Sequence, residues 1–221
     1  MVSRDRAEGY FASLAEDLPT ELAELEKKAL SEEVPIIRKE SQNVLRFLIE
    51  SKKPRHILEV GTAVGFSALF MLYYMPADGD IVTIEKVAMR LGPARENLAR
   101  LDTEGRITLV EGDATEVLKD LSEKYAGHFD MIFMDAAKAQ YLSFLPHVMK
   151  LLNEGGLLVS DNILHDGDIL ESRYAVERRD RTIHARMRDY LYEITHRDDL
   201  YTMLLTEGDG MSVSVKRRSE D

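Results

Sequence analysis

The sequence contains no cysteine and no tryptophan among its 221 residues. The first absence excludes disulfide staples, thiolate metal ligands and a cysteine nucleophile together, so any bound metal has to be held by oxygen or histidine. No stretch approaches the roughly 18 to 20 apolar residues of a membrane span. The opening Met1-Val2-Ser3-Arg4-Asp5-Arg6 lacks the apolar segment of a secretory signal. A cytoplasmic protein with no membrane partner is expected. Positive charge is in deficit too: 29 lysines and arginines face 40 aspartates and glutamates, a formal net charge of −11. Long-range repulsion then disfavours unspecific binding of polyanions, and a nucleic-acid substrate would require a local basic patch. The remaining balance, 44% apolar and 31% charged residues, is ordinary for a globular protein. One domain over 1–221 is expected, with N-terminal helices over 1–53 and the core over 54–221.

The first third carries helical periodicity. Leu22, Leu25 and Ala29 share a face of 21–30, and Ile37, Val44 and Leu48 share a face of 35–51, before Pro54 ends the pattern. From there strand-length apolar runs alternate with amphipathic stretches: 56–60 then 64–75, 81–84 then 88–101, 107–110 then 115–124, and 129–134 then 139–152. A fifth run, 157–160, follows, and a charged helix is expected over 174–196. Strand–helix units in succession predict a parallel sheet with helices on both faces. The runs 201–206 and 211–215, joined by Glu207-Gly208-Asp209-Gly210, read as an antiparallel hairpin at the sheet edge. The expected fold class is α/β, with a Rossmann-like, mostly parallel sheet, a C-terminal antiparallel hairpin and extra N-terminal helices.

The segment Glu59-Val60-Gly61-Thr62-Ala63-Val64-Gly65-Phe66-Ser67 runs from the first strand into a helix. Its glycines permit a tight turn and close approach to a ligand, and the helix N-terminus offers free N–H groups. Only Gly61 and Gly65 are present, so the dinucleotide fingerprint G-x-G-x-x-G is absent and a pyrophosphate ligand is disfavoured. Glu85 directly follows the second strand, where a carboxylate accepts from both hydroxyls of a ribose; its alternative is a solvated acid at a strand end. After the third strand, Gly112-Asp113-Ala114 sits where an adenine edge would lie, with Asp113 an acceptor for its amino group. Three strand ends with ligand groups define a crevice for an adenosine-containing cofactor.

The fourth strand ends in Asp135-Ala136-Ala137-Lys138 and the fifth in Ser160-Asp161-Asn162. Adjacent parallel strands bring these ends together, so Asp135, Asp161 and Asn162 make an all-oxygen half-shell suited to Mg²⁺. The plain alternative for each acid is a helix cap. Lys138 is placed to take a proton from a substrate hydroxyl beside the cation, although a lysine at a helix start is otherwise a solvated charge. The six histidines, at 56, 128, 147, 165, 184 and 196, form no ligand cluster; only His165 falls near the site.

These residues together resemble the cation-dependent O-methyltransferases that include catechol and caffeoyl-coenzyme A O-methyltransferases. The resemblance rests on Glu59-x-Gly61-x-x-x-Gly65-x-Ser67, Glu85, Asp135-x-x-Lys138 and Asp161-Asn162, over roughly 35–216. It implies a class I methyltransferase fold and S-adenosylmethionine as cofactor. Carried over by position, Glu59 to Ser67 line the methionine end of the cofactor and Glu85 holds its ribose. Asp135, Asp161 and Asn162 bind Mg²⁺ or another divalent cation, Asp135 also bordering the cofactor, and Lys138 is the base. Ile37, on the helix before the first strand, covers the cofactor. A homodimer is implied as well.

Within the family the chain is similar to the branch that methylates 5-hydroxyuridine in the anticodon region of bacterial tRNA. Val34-Pro35-Ile36, Asp135-Ala136-Ala137-Lys138-x-Gln140-Tyr141 and Asp161-Asn162-Ile163-Leu164 carry that similarity, with Ala139 where glycine is usual. Residues 171–188 hold six arginines against three acids, a local charge of +3, and Arg173, Arg178, Arg179 and Arg181 are the candidate RNA contacts. Two readings compete: O-methylation of small catechol or caffeoyl-type phenols, and a non-catalytic cofactor or RNA-binding module. Against the first, the arginine-rich stretch without tryptophan offers no apolar lid; against the second, binding alone needs neither Lys138 nor the three metal ligands.

Overall fold

The computed structural model describes residues 6, 9–11 and 13–218, so the opening stretch read above lies outside them except for Arg6. Two helices, α1 (Thr20–Ser31) and α2 (Lys39–Lys52), precede the alternation β1 (His56–Val60), α3 (Phe66–Tyr74), β2 (Asp80–Glu85), α4 (Ala88–Leu101), β3 (Ile107–Glu111), α5 (Ala114–Lys124), β4 (Phe129–Met134), α6 (Tyr141–Leu151) and β5 (Leu152–Asp161). Helix α7 (Arg181–His196) and the hairpin β6 (Leu200–Leu205) and β7 (Met211–Lys216) complete the chain. The sheet order is β3-β2-β1-β4-β5-β7-β6. Strands β1 to β5 pair in parallel, and β7 runs antiparallel to β5 and β6. The Rossmann-like fold class expected from the alternation is the one observed.

The central strands are apolar on both faces, as a parallel sheet sandwiched between helices requires. Leu58, Ile132 and Leu158 turn towards a layer containing Leu118 of α5, Phe144 of α6 and Met187 of α7. Ile57, Met131 and Phe133 turn the other way, against Leu25 of α1, Ile49 of α2, Phe70 of α3 and Leu98 of α4. Among the described residues no helix is long and apolar enough to cross a membrane.

Two helix expectations are corrected. Helix α2 begins at Lys39, not at 35: residues 34–38 carry no regular secondary structure, and the N-cap Arg38 is extended, at φ −68° and ψ 155°. Ile37 therefore precedes the helix, and its buried face consists of Ser41, Gln42, Leu45 and Ile49, with Val44 and Leu48 only partly covered. Helix α7 begins at Arg181, not at 174, since 171–180 contains a single buried apolar residue, Val176, and has no repeating face to bury.

The sheet order reverses between β1 and β4, since the chain moves from β1 outward to β2 and β3 and then returns to β4 on the other side. Ligands of open α/β sheets bind at such switch points, beyond the carboxyl ends of the strands. Register makes the placement specific: Met134 pairs with both Val60 and Ser160, so Gly61, Asp135 and Asp161 follow side by side on three adjacent strands.

Candidate active site

A cavity of about 620 Å³ opens at these strand ends, within the roughly 300 to 1,000 Å³ of small-molecule sites. One wall is the loop between β1 and α3. Gly61 and Thr62 donate their N–H groups to the Ile84 carbonyl at 3.0 and 3.2 Å. Gly61 has φ 109°, and a Cβ there would overlap the Asp135 carbonyl, so the end of β4 demands this glycine in addition to any ligand. Gly65, φ 86°, is the N-cap of α3 and packs on Leu98; it does not reach the cavity.

Glu85, at the end of β2 and on the wall, organises this loop. Its Oε2 accepts from Ala63 N at 2.8 Å and its Oε1 from Lys86 N and Val87 N at 2.9 and 2.8 Å. Its Oε2, with one donor, keeps acceptor capacity for a ribose hydroxyl, whereas its Oε1 already accepts two bonds. Glu59 lies behind the loop and is fully buried, while Ser67 reaches the wall. The Glu59 carboxyl accepts from Thr83, which meets the Thr62 hydroxyl at 2.6 Å. Burial pushes Glu59 up to about 7, with the Ser67 and Thr83 hydroxyls pulling the other way. Glu59 thus supports the loop from beneath instead of lining the cavity. Asp113 is the N-cap of α5: it accepts from Thr115 N at 2.9 Å and pairs with Lys86 at 3.1 Å, so the wall at the expected adenine edge is formed by Gly112 and Ala114. Ile37 covers the opposite side.

The other end of the cavity is acidic. Asp135 and Asn162 line it, and Asp161 sits beside them with no exposed surface. Burial pushes Asp135 up to about 7, reinforced by the Asp161 charge and opposed by Lys138 and Arg90. Asp161 is raised as well, by burial first and with Asp209 adding, while the Asn162 N–H and the Ser41 hydroxyl oppose the shift. Asp161 Oδ1 accepts from Ser41 at 3.0 Å, and its Oδ2 has no partner. Two buried carboxylates that repel each other, one with an orphan oxygen, together with an amide, form a donor set that fits a hard divalent cation. Asn162 adopts φ 56°, a left-handed geometry that asparagine tolerates.

These shifts carry a pH prediction. The folded state holds protons on Asp135 and Glu59 up to about pH 7, whereas exposed carboxylates release them near pH 4. Stability therefore falls as pH rises through that window, and the full cost is present above it. We expect the melting temperature to drop between pH 5 and pH 8, and excess Mg²⁺ to restore part of it at pH 8 but little at pH 5, where Asp135 is protonated. Calorimetry showing no Mg²⁺ effect at either pH would remove the metal from this site.

Lys138 opens a 3₁₀ turn (Lys138–Gln140) after β4 and lies on the wall, its Nζ 3.4 Å from Asp209 Oδ2. The Tyr141 hydroxyl, 3.1 and 3.2 Å from the Met134 and Asp161 carbonyls and 3.3 Å from Ala136 N, ties the ends of β4 and β5 together. Ser41 and Asp209 carry no site signal in the sequence beyond the Gly-Asp-Gly turn, which signals a hairpin, and Tyr141 enters there only as the end of the Asp135–Tyr141 motif, with no role attached. His165 does not line the cavity.

The candidate RNA-binding arginines lie outside the cavity wall. Arg173 and Arg178 are exposed and have no hydrogen-bond or ion-pair partner among the described residues. Arg179 pairs with Glu177 and Asp180 at 3.0 and 3.2 Å. Arg181 instead holds the backbone, donating to the Val176 and Tyr174 carbonyls at 3.1 and 3.5 Å.

A family model described as O-methyltransferase matches residues 12–217. A catechol O-methyltransferase of Niastella koreensis is 33% identical over 127 residues, 58% of this chain and 58% of that protein. The structure of a Staphylococcus aureus protein provisionally assigned as a caffeoyl-CoA O-methyltransferase superposes with a TM-score of 0.86 at 29% identity, covering 95% of this chain and 99% of that one. An O-methyltransferase from Bacillus cereus, solved in complex with SAH, shares the fold with a TM-score of 0.82 at 20% identity over 96% and 97% of the two chains. The chain spans 62%, 58% and 53% of the length of three curated relatives it matches.

Proposed function

Because the chain belongs to the O-methyltransferase family, we propose that it transfers the methyl group of S-adenosylmethionine to a hydroxyl standing next to a second oxygen, and that this hydroxyl is the 5-hydroxyl of a uridine in the anticodon region of tRNA. One observation carries the reaction class: a single cavity joins Glu85 and Ala114 at one end to Asp135, Asn162 and Lys138 at the other. When bound, S-adenosylmethionine supplies an electrophilic methyl, and a divalent cation orients two vicinal oxygens and acidifies the hydroxyl. Glu85 Oε2 would accept from a ribose hydroxyl, Ile37 would close the cofactor side, and Asp135, Asp161 and Asn162 would hold the cation. Lys138 Nζ, as the neutral amine, would take the hydroxyl proton as the oxygen–carbon bond forms and the carbon–sulfur bond breaks, its electron pair leaving with the sulfur of S-adenosylhomocysteine. Holding both reactants in line is worth more than any single contact.

The uridine assignment draws its support from the exposed, unpaired Arg173 and Arg178 beside Tyr174, which is 89% exposed. Phosphate contacts give salt-dependent affinity for RNA and offer nothing to an uncharged phenol. Replacing Arg173, Arg178 and Arg179 by alanine is expected to lower methylation of 5-hydroxyuridine tRNA by about 10- to 100-fold at physiological salt and to leave a free catechol's turnover within about twofold. Arg181 is spared in this variant because its guanidinium holds the 174–176 backbone. A small catechol or caffeoyl-type phenol presents the same pair of oxygens, and the relatives' names favour it. Parallel loss with both substrates, or no transfer to 5-hydroxyuridine tRNA, would hand the assignment to that phenol. We also propose a cytoplasmic homodimer that covers Phe47 and Tyr73, which are 71% and 60% exposed on α2 and α3; a monomer in sedimentation would reject it.

A further inference from the structure

The turn between β6 and β7 is built around one carboxylate. Antiparallel pairing sets Met211 opposite Asp161, so the turn before β7 arrives at the same end of the sheet as the carboxyl ends of the parallel strands. Asp209, 4% exposed, occupies its centre and lines the cavity. Its Oδ1 accepts from Asp166 N at 2.7 Å, and its Oδ2 faces Lys138 Nζ at 3.4 Å. The Asp209 carbonyl accepts from Leu164 N at 2.9 Å and the Gly210 carbonyl from Ile163 N at 3.1 Å, so turn and loop are laced together.

Both flanking glycines are required by close approach. Gly208, φ 63°, would drive a Cβ into the Ser41 hydroxyl that serves Asp161, and Gly210, φ 77°, would drive one into Leu164. The loop held in this way turns through left-handed backbone at Asn162, His165 and Asp166, with φ 56°, 51° and 54°.

We infer that Asp209 is a positioning residue that fixes the Lys138 amine at the cavity wall while locking the Asn162–Gly167 loop, through its two carboxylate oxygens. The inference rests on Lys138 being the base of the proposed reaction. Asp209→Asn separates the two duties. An asparagine oxygen still accepts from Asp166 N, but its NH₂ group replaces the oxygen that faces Lys138, so the Lys138 N–H loses the acceptor that orients it. Single-turnover methylation of a catechol probe with saturating cofactor and Mg²⁺ is the readout, with cofactor affinity measured in parallel.

Asp209→Asn is expected to slow transfer roughly 10- to 100-fold with cofactor affinity unchanged, because a misplaced base loses most of what general-base catalysis provides. In a Lys138→Ala background the same substitution should cost less than about twofold, since nothing is left to position. Full activity of Asp209→Asn overturns the inference and leaves Asp209 with the loop alone. Equal losses in both backgrounds also overturn it, while the reading of Lys138 as base survives. Undiminished transfer by Lys138→Ala alone rejects both.

Discussion

Asp161→Ala is expected to lower methyl transfer on the order of 10³-fold, the several kcal/mol that a correctly held cation supplies to such a reaction. Asp161 is the better target of the two acids because it does not line the cavity, so the substitution leaves the cofactor's contacts in place. Burial, the main cause of the raised Asp135, remains, but the repulsion that adds to it ends, which offsets part of what the fold loses with the acceptor of the Ser41 hydroxyl. Three measurements distinguish metal loss from unfolding: turnover falls, Mg²⁺ no longer raises the melting temperature, and cofactor affinity stays within about threefold, since no direct cofactor contact is removed. Turnover that survives both this substitution and a chelator would rule out the metal mechanism.

Glu85→Ala should weaken S-adenosylmethionine binding by about 100-fold. A hydrogen bond to a charged group contributes about 1.5 to 3 kcal/mol, and the ribose diol would lose its acceptor. A second loss adds to the first. Ala63, Lys86 and Val87 N–H groups would have no acceptor, and the loop from Gly61 to Gly65 would no longer be pinned to the end of β2. Glu85→Gln retains one oxygen and the shape, so a smaller loss of about 10-fold is expected. Titration calorimetry measures both, with Mg²⁺ affinity as the control that should not move. An unaltered cofactor affinity in the alanine variant removes Glu85 from the site.

The cofactor side of the molecule was readable because its signals are local. A glycine loop between a strand and a helix, an acid at the end of the next strand and alternating apolar runs are all set by neighbours in the chain. Where local reading failed, a tertiary demand had taken the residue. Asp113 is engaged as a helix cap and by Lys86, Glu59 works from beneath the loop, and Arg181 is held by backbone carbonyls.

The parallel sheet, its hairpin, the crevice at the strand ends and the placing of Asp135 beside Asp161 follow from the order of apolar runs along the chain, because adjacent parallel strands bring their carboxyl ends together. What completes that crevice is set by long-range packing. Ser41 reaches Asp161 across 120 positions of chain and Asp209 reaches Lys138 across 71. Such contacts follow from how helix α2 and an antiparallel strand pack against the sheet, and a side chain's partner at that separation is fixed by packing geometry that no local pattern encodes.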